Sequence, residues 1–370
     1  MSAACLLEVH RGDGGPGTRA PRRAAGRFVL AASVAIAVAT SAHAARALNP
    51  VSGLPSEKGI VDVDTTLGFG QGSAAGTGLV VSASGEVLTN NHVIRGASSI
   101  RVVEPSSGLS YAATVVGYDL DADVAVIQIK RASNLQTVAL GNSDAAKVGA
   151  AVTAVGNAGG VGGAPTVTRG TIVALHRAIT VSDDGESTEQ LSGLTETNAA
   201  LQPGDSGGPL LNAAGEVIGM DTAASTDFGF QSGQSSQGYA IPIDNALAVA
   251  RQIEAHVSSN GVHIGPTPFL GVDVTSPGQS GFGAGSGNGD PVAFGAFVAA
   301  VVPSSPAAQQ LGLTEGDVIT SLDGHKIASA DSVTTAILRA SPGSIVGIGW
   351  VDEAGNPHSA RVRLASGPPQ

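Results

Sequence analysis

Cysteine is almost absent from this chain of 370 residues: its one cysteine, Cys5, lies close to the N-terminus. One cysteine cannot form an internal disulfide bond, and no thiol remains after residue 44 to act as a nucleophile or to ligate zinc. The sequence therefore excludes cysteine catalysis and cysteine-type zinc sites. It also contains no glycine-rich phosphate-binding loop and no plausible cluster of metal ligands, so we expect no cofactor and no metal.

Basic and aromatic residues are scarce as well. The chain has 19 lysines and arginines against 30 aspartates and glutamates, and aromatic residues make up 3% of it. Five of the basic but only two of the acidic residues lie within residues 1–44, so the remainder carries twice as many acidic as basic residues. A chain with this charge is a poor partner for nucleic acid or anionic lipid, and we expect it to bind neither.

The sequence has no hydrophobic run of the length that usually spans a membrane. The uncharged run over residues 28–42 is shorter than the roughly 20 apolar residues of a membrane helix. Arginines precede this run and Ala42-His43-Ala44 follows it, which is typical of a signal peptide. We predict that residues 1–44 are a signal peptide, with an N-terminal anchor formed by residues 28–44 as the alternative. Both imply an exported protein that is secreted, cell-wall-associated or periplasmic.

Glycine, by contrast, is abundant, with 52 residues, and short runs of valine, isoleucine and alanine alternate with turn residues. This pattern predicts a mainly β protein. About a dozen short strands between Ile60 and Ile243, without a helix of normal length, indicate two small β-barrels packed together. Residues 244–257 then have apolar positions at helical spacing, and Asp244 is placed to cap that helix.

We predict two domains after the leader. The boundaries are a flexible N-terminal segment at residues 45–58, a double β-barrel domain at 59–257, a linker at 258–268 and a smaller α+β domain at 269–366. The second domain contains predicted helices at residues 306–312 and 332–340, and a glycine- and serine-rich insertion at residues 276–290.

The six residues GDSGGP, 204–209, make Ser206 a candidate nucleophile. A serine hydroxyl is nearly inert at neutral pH unless a base takes its proton and hydrogen-bond donors stabilise the oxyanion that it creates. Glycine allows the chain to turn so that main-chain N–H groups converge on this oxyanion. We therefore assign the predicted oxyanion hole to Gly204, Asp205 and Ser206.

The base must come from the few histidines of the barrel region, His92 and His176. His92 follows a strand and begins a helical turn, which would present its ring at a barrel rim, whereas His176 is a weak candidate for a catalytic role and fits an exposed loop. An acidic partner is needed to orient the imidazole, and Asp123 directly precedes a buried strand. Asp119 and Asp121 fit a turn-capping role instead. The order His92, Asp123, Ser206 is that of the chymotrypsin-type catalytic triad.

Five segments together resemble the HtrA/Deg family of serine proteases. They are TNNHVI (89–94), GYDLDADVAVIQI (117–129), TNAALQPGDSGGPLLN (197–212), GEVIGMDTA (215–223) and GYAIPID (238–244). The similarity extends from Ile60 to Ala365 and looks closest to secreted bacterial members of the PepA type. It implies a chymotrypsin-like double β-barrel protease domain, a PDZ domain after it, a homotrimer and a role in the quality control of exported proteins.

Within the second domain, the residues FLGV, 269–272, resemble the carboxylate-binding loop of the family's PDZ domains. Phe269, Leu270, Gly271 and Val272 are therefore the predicted peptide-binding loop, whose N–H groups would hold a peptide C-terminus while the peptide adds a strand. Residues 301–327 resemble the PDZ core. Without that second segment, FLGV would fit the start of a buried strand equally well.

Three residues depart from the usual pattern of the family: Asn198 stands where aspartate is common, and Asp205 and Asp221 stand where asparagine is common. By analogy, Asp221 is expected close to Asp123. Two neighbouring carboxylates repel each other, which would raise the pKa of one of them. We therefore expect the pH optimum of the activity to lie above the usual acidic limb.

The specificity pocket is predicted from Leu201 at its floor and from Thr222 and Ala223 on a wall. An apolar floor without an acidic residue favours a small aliphatic side chain before the scissile bond and disfavours arginine or lysine.

The sequence thus predicts an ATP-independent serine endopeptidase that degrades unfolded or misfolded proteins and recognises peptide C-termini with its PDZ domain. One alternative is a chaperone-like protein that binds unfolded clients and has a latent protease site. Another is a PDZ scaffold with a degenerate protease domain, but no member of the predicted triad is missing.

Overall fold

The computed structural model describes residues 57–68, 72–183, 187–224, 237–259, 261–276 and 295–370. The predicted signal peptide or anchor, residues 45–56 of the predicted N-terminal segment and residues 277–290 of the predicted insertion lie outside these ranges. Within them, none of the helices has both the length and the apolar composition needed to cross a membrane.

The first barrel is formed by the strands before residue 130. These are β1 (Ile60–Leu67), β2 (Ser73–Val80), β3 (Glu86–Thr89), β4 (Ala97–Val103), β5 (Ser110–Asp119) and β6 (Val124–Ile129), and a single helical turn, α1 (Asn91–Ile94), follows β3. The order β5-β4-β1-β2-β3-β6 is closed by pairing of β5 with β6. All these pairs are antiparallel.

The alternation of apolar residues explains how β6 is buried on both faces. Ala125, Ile127 and Ile129 belong to the cluster inside the first barrel, whereas Val124 and Val126 belong to the cluster that packs against the second. Successive side chains of a strand point to opposite faces, so the run VAVIQI fills both cores.

The second barrel is closed by the strand order β10-β11-β12-β9-β8-β7. Its strands are β7 (Ala151–Gly156), β8 (Thr166–Asp183), β9 (Ser187–Thr197), β10 (Pro209–Leu211), β11 (Val217–Ala224) and β12 (Gly238–Pro242). The prediction of two small β-barrels is confirmed.

Helix α2 (Ile243–Glu254) follows β12 and packs Ile243, Ala246, Ala250 and Ile253 into the core shared by both barrels. The predicted cap is wrong, because Pro242 is the N-cap and Asp244 lies in the first turn. The carboxylate of Asp244 instead accepts hydrogen bonds from the N–H and the hydroxyl of Ser143.

The second domain is an antiparallel sheet with short helices. Its sheet has the order β15 (Val272–Thr275), β16 (Ala296–Val301), β17 (Val318–Leu322), β19 (Ile345–Val351), β20 (Pro357–Arg363), and β18 (His325–Lys326) pairs with β17. The predicted helices correspond to a π-helical turn at Ala307–Leu311 and to α3 (Ala330–Leu338). Its core contains Ile319, Ile348 and Val362.

Two strands lie in the predicted linker, and the second ends one residue beyond it, at Phe269 of the predicted peptide-binding loop. β13 (Val262–Ile264) pairs with β5 and so extends the sheet of the first barrel. β14 (Thr267–Phe269) pairs with β21 (Ala365–Gly367), the strand that follows β20. The chain between the two domains is therefore bonded to both.

Candidate active site

His92 is carried by the helical turn α1 directly after β3. The turn is anchored because Val93 and Ile94 are buried in the first barrel. The side chain of His92 remains 31% exposed, so its ring lies at the rim of the barrel as predicted.

Asp123 orients the imidazole of His92 with its two carboxylate oxygens. Oδ2 lies 2.8 Å from Nδ1 of the ring, and Oδ1 accepts the main-chain N–H of His92 at 3.0 Å. Asp123 is buried, and its φ of 53° places it in the left-handed region that only short polar residues and glycine tolerate well. A hydrogen bond to Nδ1 leaves the other ring nitrogen, Nε2, as the site for proton transfer.

Thr222 is a third residue of this cluster, in a role that the sequence analysis missed. Its hydroxyl donates to Oδ2 of Asp123 at 2.5 Å. Burial disfavours the ionised form of Asp123, but the neighbouring His92 and the hydrogen bonds from His92 and Thr222 hold the pKa of this carboxyl below its usual value. The place of Thr222 on the wall of the specificity pocket stays a prediction, and its hydroxyl is directed at Asp123.

Asp119 and Asp121 lie in the turn before β6. Oδ1 of Asp119 accepts the N–H groups of Asp121 and Ala122, as expected of a residue that caps a turn. His176, the other candidate base, is exposed on β8 at a φ of 55°. It is exposed, as its sequence context indicated, but it lies within β8 and not in a loop.

Ser206 follows a tight loop on the second barrel. Its hydroxyl lies 3.3 Å from the main-chain oxygen of Thr222, the residue that also contacts Asp123. Its carbonyl accepts the N–H of Thr77 on β2, and the next residue, Gly207, donates its N–H to the carbonyl of Asp221. Thr222 therefore contacts Ser206 through its main-chain oxygen and Asp123 through its hydroxyl, and Asp123 in turn bonds His92.

Gly204 is required by the shape of this loop. Its φ is 99°, and a Cβ atom there would lie 2.1 Å from the main-chain oxygen of Asn157. The hydroxyl of Thr77 donates to the carbonyl of Gly204 at 2.8 Å and fixes the loop to the first barrel. Another residue at this position would displace the loop.

The main-chain N–H groups of the three residues predicted to form the oxyanion hole differ in whether they are already hydrogen-bonded. The N–H of Asp205 donates to the carbonyl of Gln202 at 3.0 Å, so this residue does not supply a donor to the predicted hole. In the part of the chain that the structure describes, the N–H groups of Gly204 and Ser206 have no protein acceptor. These two remain the candidate oxyanion donors.

The carboxyl group of Asp205, in this loop, is the charged neighbour of the carboxyl group of Asp221 on β11. Asp205 accepts the N–H of Gln202 at 2.9 Å and the hydroxyl of Thr166 at 3.2 Å. Asp221 is completely buried, and among the described residues neither of its carboxylate oxygens has a hydrogen-bond partner. Burial and, to a smaller extent, the charge of Asp205 raise the pKa of Asp221 well above its usual value.

The expectation that Asp221 lies beside Asp123 is therefore wrong. On β11, Asp221 and Thr222 are consecutive, and the pairing of β11 with β12 shifts its register between Asp221 and Ala223. Thr222 faces Asp123, and the charged neighbour of Asp221 is Asp205.

Of the other two predicted pocket residues, the structure describes the side chain of only one. Leu201 is buried in the second barrel, where a Cβ atom added to Gly238 would come within 2.7 Å of its side chain. The side chain of Ala223 lies outside the described residues. Asn198, the remaining departure from the family pattern, accepts the N–H of Thr171 at 2.7 Å.

The predicted peptide-binding loop leads into β15 of the second domain. Leu270 is buried in the core, and the carbonyls of Leu270 and Gly271 accept N–H groups from Ala307 and Val302. Gly271 has a φ of 87°, and a Cβ atom there would lie 2.1 Å from Ser305. In the described part of the sheet, β15 is an edge strand, with β16 on one side only.

Two family models match the chain in agreement with these two folds. The model of the trypsin-like peptidase domain matches residues 76–220, and that of the PDZ domain matches residues 268–351. Each lies within the corresponding region of the structure described above.

The chain is also similar to named proteases. It is 34% identical over 290 residues to a protein of Haemophilus influenzae named probable periplasmic serine protease do/HhoA-like, which covers 78% of this chain and 58% of the relative. It is 31% identical over 317 residues to the serine protease PepD of Mycobacterium tuberculosis, which covers 82% of this chain and 63% of the relative. The chain thus spans about three-fifths of the length of these curated relatives.

Among solved structures, the HtrA-type protease AlgW with tripeptide is 31% identical, with a TM-score of 0.47 over 85% of this chain and 96% of that chain. The domain matches and the curated relatives agree with the residues that first suggested the family. The chain belongs to the HtrA/Deg family of trypsin-like serine proteases with a PDZ domain.

Proposed function

We propose that this chain is a serine endopeptidase in which Ser206 is the nucleophile, His92 the general base and Asp123 the residue that orients it. The observation that carries the proposal is that Thr222 contacts both parts of the site: its hydroxyl donates to Asp123, which bonds His92, and its main-chain oxygen lies 3.3 Å from the hydroxyl of Ser206. An exposed serine in a glycine-rich turn would need neither partner.

The reaction transfers one proton from Ser206 to His92 and then from His92 to the leaving amine. Ser206 attacks the carbonyl carbon of a peptide bond while Nε2 of His92 accepts the hydroxyl proton. Asp123, ionised because of its low pKa, stabilises the imidazolium that forms. The N–H groups of Gly204 and Ser206 stabilise the negative charge on the carbonyl oxygen, and His92 then returns its proton to the leaving amine.

We propose that unfolded or misfolded proteins are the substrates. An unfolded chain can place an extended segment along Ser206, whereas a folded protein cannot do so without local opening. The edge strand β15 and the loop 269–272 support recognition of a peptide C-terminus, which would add a strand beside β15. The buried apolar side chain of Leu201 supports a preference for small aliphatic residues before the cleaved bond.

We further propose export from the cytoplasm and assembly as a homotrimer. Export is supported by the leader-like residues 1–44 and by the relative from Haemophilus influenzae, which is named periplasmic. The trimer follows from the resemblance to the family alone.

A chaperone-like binder with a latent protease site is the second candidate. It is favoured by one observation: the hydroxyl of Ser206 lies within hydrogen-bond distance of the carbonyl of Thr222. This proton has to turn towards His92 before the serine can attack, so cleavage would require a rearrangement of the hydroxyl.

A fluorophosphonate probe distinguishes the two candidates, because it reacts only with an activated serine. We expect the intact protein to gain the mass of one probe, and the Ser206→Ala variant to gain none. Digestion of β-casein by the wild type but not by the variant is expected in parallel. Binding of unfolded casein by a folded wild type that neither labels nor cleaves would favour the chaperone-like protein.

A further inference from the structure

The segment after the PDZ sheet reaches across to the helical turn that carries His92. We call residues 365–370 the strap. It begins as β21, which pairs with β14, and it continues through Pro368 and Pro369 to Gln370. Pro369 is buried and Gln370 is half-buried, so this part of the strap packs against the protein.

Three hydrogen bonds join the strap to the first barrel. The main-chain oxygen of Pro369 accepts the N–H of Gly96 at 2.9 Å, and that of Gln370 accepts the side-chain amide of Asn91 at 3.0 Å. The N–H of Gln370 lies 3.4 Å from the hydroxyl of Tyr118. Asn91 and Gly96 lie on both sides of His92 in the chain, so the strap contacts both ends of α1.

Tyr118 contacts both the strap and the strand β14. It is completely buried on β5, and its hydroxyl also lies 3.2 Å from that of Thr267 on β14. Its ring packs against His263, with 5.2 Å between the ring centroids. The strap, the strand β14 and the first barrel therefore meet at one buried hydroxyl group.

The turn α1 has only four residues and cannot hold its own orientation, because a helix of this length has almost no intrinsic stability. From one side it is held by Asp123, whose carbonyl accepts the side-chain amide of Asn90 and the N–H of Asn91. The strap holds it from another side. A catalytic group that is displaced by about 1 Å can lose about a hundredfold in rate.

We propose that residues 368–370 are a positioning segment for His92: by fixing both ends of α1, they hold the imidazole in register with Asp123 and Ser206. This rests on the proposed function of the site. The three hydrogen bonds of the strap go to Asn91, Gly96 and Tyr118, so it would act on the rate through the orientation of α1.

The test compares a deletion of residues 368–370 and the Asn91→Leu variant with a matched control. The control is Gln310→Leu. Like Asn91→Leu, it removes a side-chain amide that donates to a main-chain oxygen, here that of Arg363. This hydrogen bond lies within the PDZ domain and not at α1. We expect kcat for a peptide substrate to fall about tenfold or more in both test variants, while KM changes less than twofold. The control should retain the wild-type kcat.

The proton resonance of the hydrogen bond between His92 and Asp123 provides a readout that does not need turnover. We expect this downfield signal to shift or broaden in the deletion variant and to stay unchanged in the control, at an unchanged melting temperature. A wild-type kcat and an unchanged signal in a folded deletion variant would overturn the proposal. If the wild type itself cleaves nothing, the proposed function fails, and the signal alone still decides whether the strap positions His92. If Asn91→Leu does not fold, the deletion variant decides the outcome.

Discussion

Asp123 and Asp221 are both completely buried close to Thr222, yet their carboxyl groups are in opposite situations. Asp123 accepts three hydrogen bonds, two from His92 and one from Thr222, and its pKa is lowered. Asp221 has no partner among the described residues, and its pKa is raised. Burial disfavours the charged form of both carboxyl groups, so the partners decide the direction in which each pKa is shifted.

The comparison also supports the proposal of a catalytic role for only one of the two. An ionised Asp123 can stabilise the imidazolium, whereas the raised pKa of Asp221 disfavours the charge that this role requires. We therefore expect the acidic limb of the pH profile to be governed by His92 and Asp123 and not by Asp221. This differs from the expectation drawn from the sequence, in which Asp221 lies beside Asp123.

The largest expected effect comes from removing the charge of Asp123. Asp123→Asn keeps the volume but favours the wrong tautomer of His92, so we expect kcat/KM to fall by about ten-thousandfold, as in other triad proteases. Asp119→Asn, in the turn before β6, is the matched control and should stay within a few-fold of the wild type. A fall of less than tenfold in a folded Asp123→Asn variant would contradict the assignment.

A smaller loss is expected from Thr222→Val, which keeps the shape of the side chain and removes its hydroxyl. A hydrogen bond to a charged group contributes about 1.5–3 kcal/mol, so kcat should fall by about ten- to a hundredfold. Thr222→Ser keeps the hydroxyl and should recover most of the activity. Equal kcat values for the valine and serine variants would show that the bond to Asp123 has no catalytic role.

Asp221→Asn tests the raised pKa of Asp221 through the pH dependence of the free energy of unfolding. Between the ordinary pKa of an aspartate and the raised pKa of Asp221, the folded protein binds a proton that the unfolded chain has lost. The free energy of unfolding of the wild type therefore falls as the pH rises above about 4, by about 1.4 kcal/mol per pH unit for this group. The variant lacks this dependence, so its advantage over the wild type should grow between pH 5 and pH 7.

Urea denaturation at several pH values measures this advantage. Asp144→Asn, which changes an exposed aspartate, is the control and should give a difference that hardly depends on pH. A constant difference between Asp221→Asn and the wild type across this range would mean that Asp221 is ionised in the folded protein.

The smallest effect is expected at Glu86 on β3. Burial, a hydrogen bond with the carboxyl of Glu254 and the charge of Glu254 raise the pKa of Glu86 to about 7. The wild type should lose stability as the pH rises from about 4.5 through 7, and Glu86→Gln should reduce this loss. Because Glu86 is only partly buried, solvent screening keeps the gain small. If the stabilities of variant and wild type follow parallel pH curves, the two carboxyls do not share a proton.

Much of the fold could be predicted from local patterns. The alternation in VAVIQI predicted β6, and glycine-rich turns predicted the short strands on either side of it. The residues around His92, Asp123 and Ser206 were identified because the chemistry of the motif requires particular residue types. Local sequence also sufficed for α3, although the structure begins it two residues earlier than predicted.

The contacts that could not be predicted join distant parts of the chain. Thr222 and Asp123 are 99 residues apart, and which of two consecutive residues on β11 faces Asp123 depends on the orientation of that strand in the barrel. Asn91 and Gln370 are 279 residues apart, and neither has a local motif that predicts their contact. Such pairings are set by the packing of whole domains.

The rate of fluorophosphonate labelling, measured in parallel for the wild type, Asp123→Asn and Asp221→Asn, tests the central comparison most directly. The structure predicts rapid labelling at Ser206 in the wild type and in Asp221→Asn, and almost none in Asp123→Asn. Labelling that survives in a folded Asp123→Asn variant but disappears in Asp221→Asn would contradict the account, because Asp221 and not Asp123 would then activate the serine.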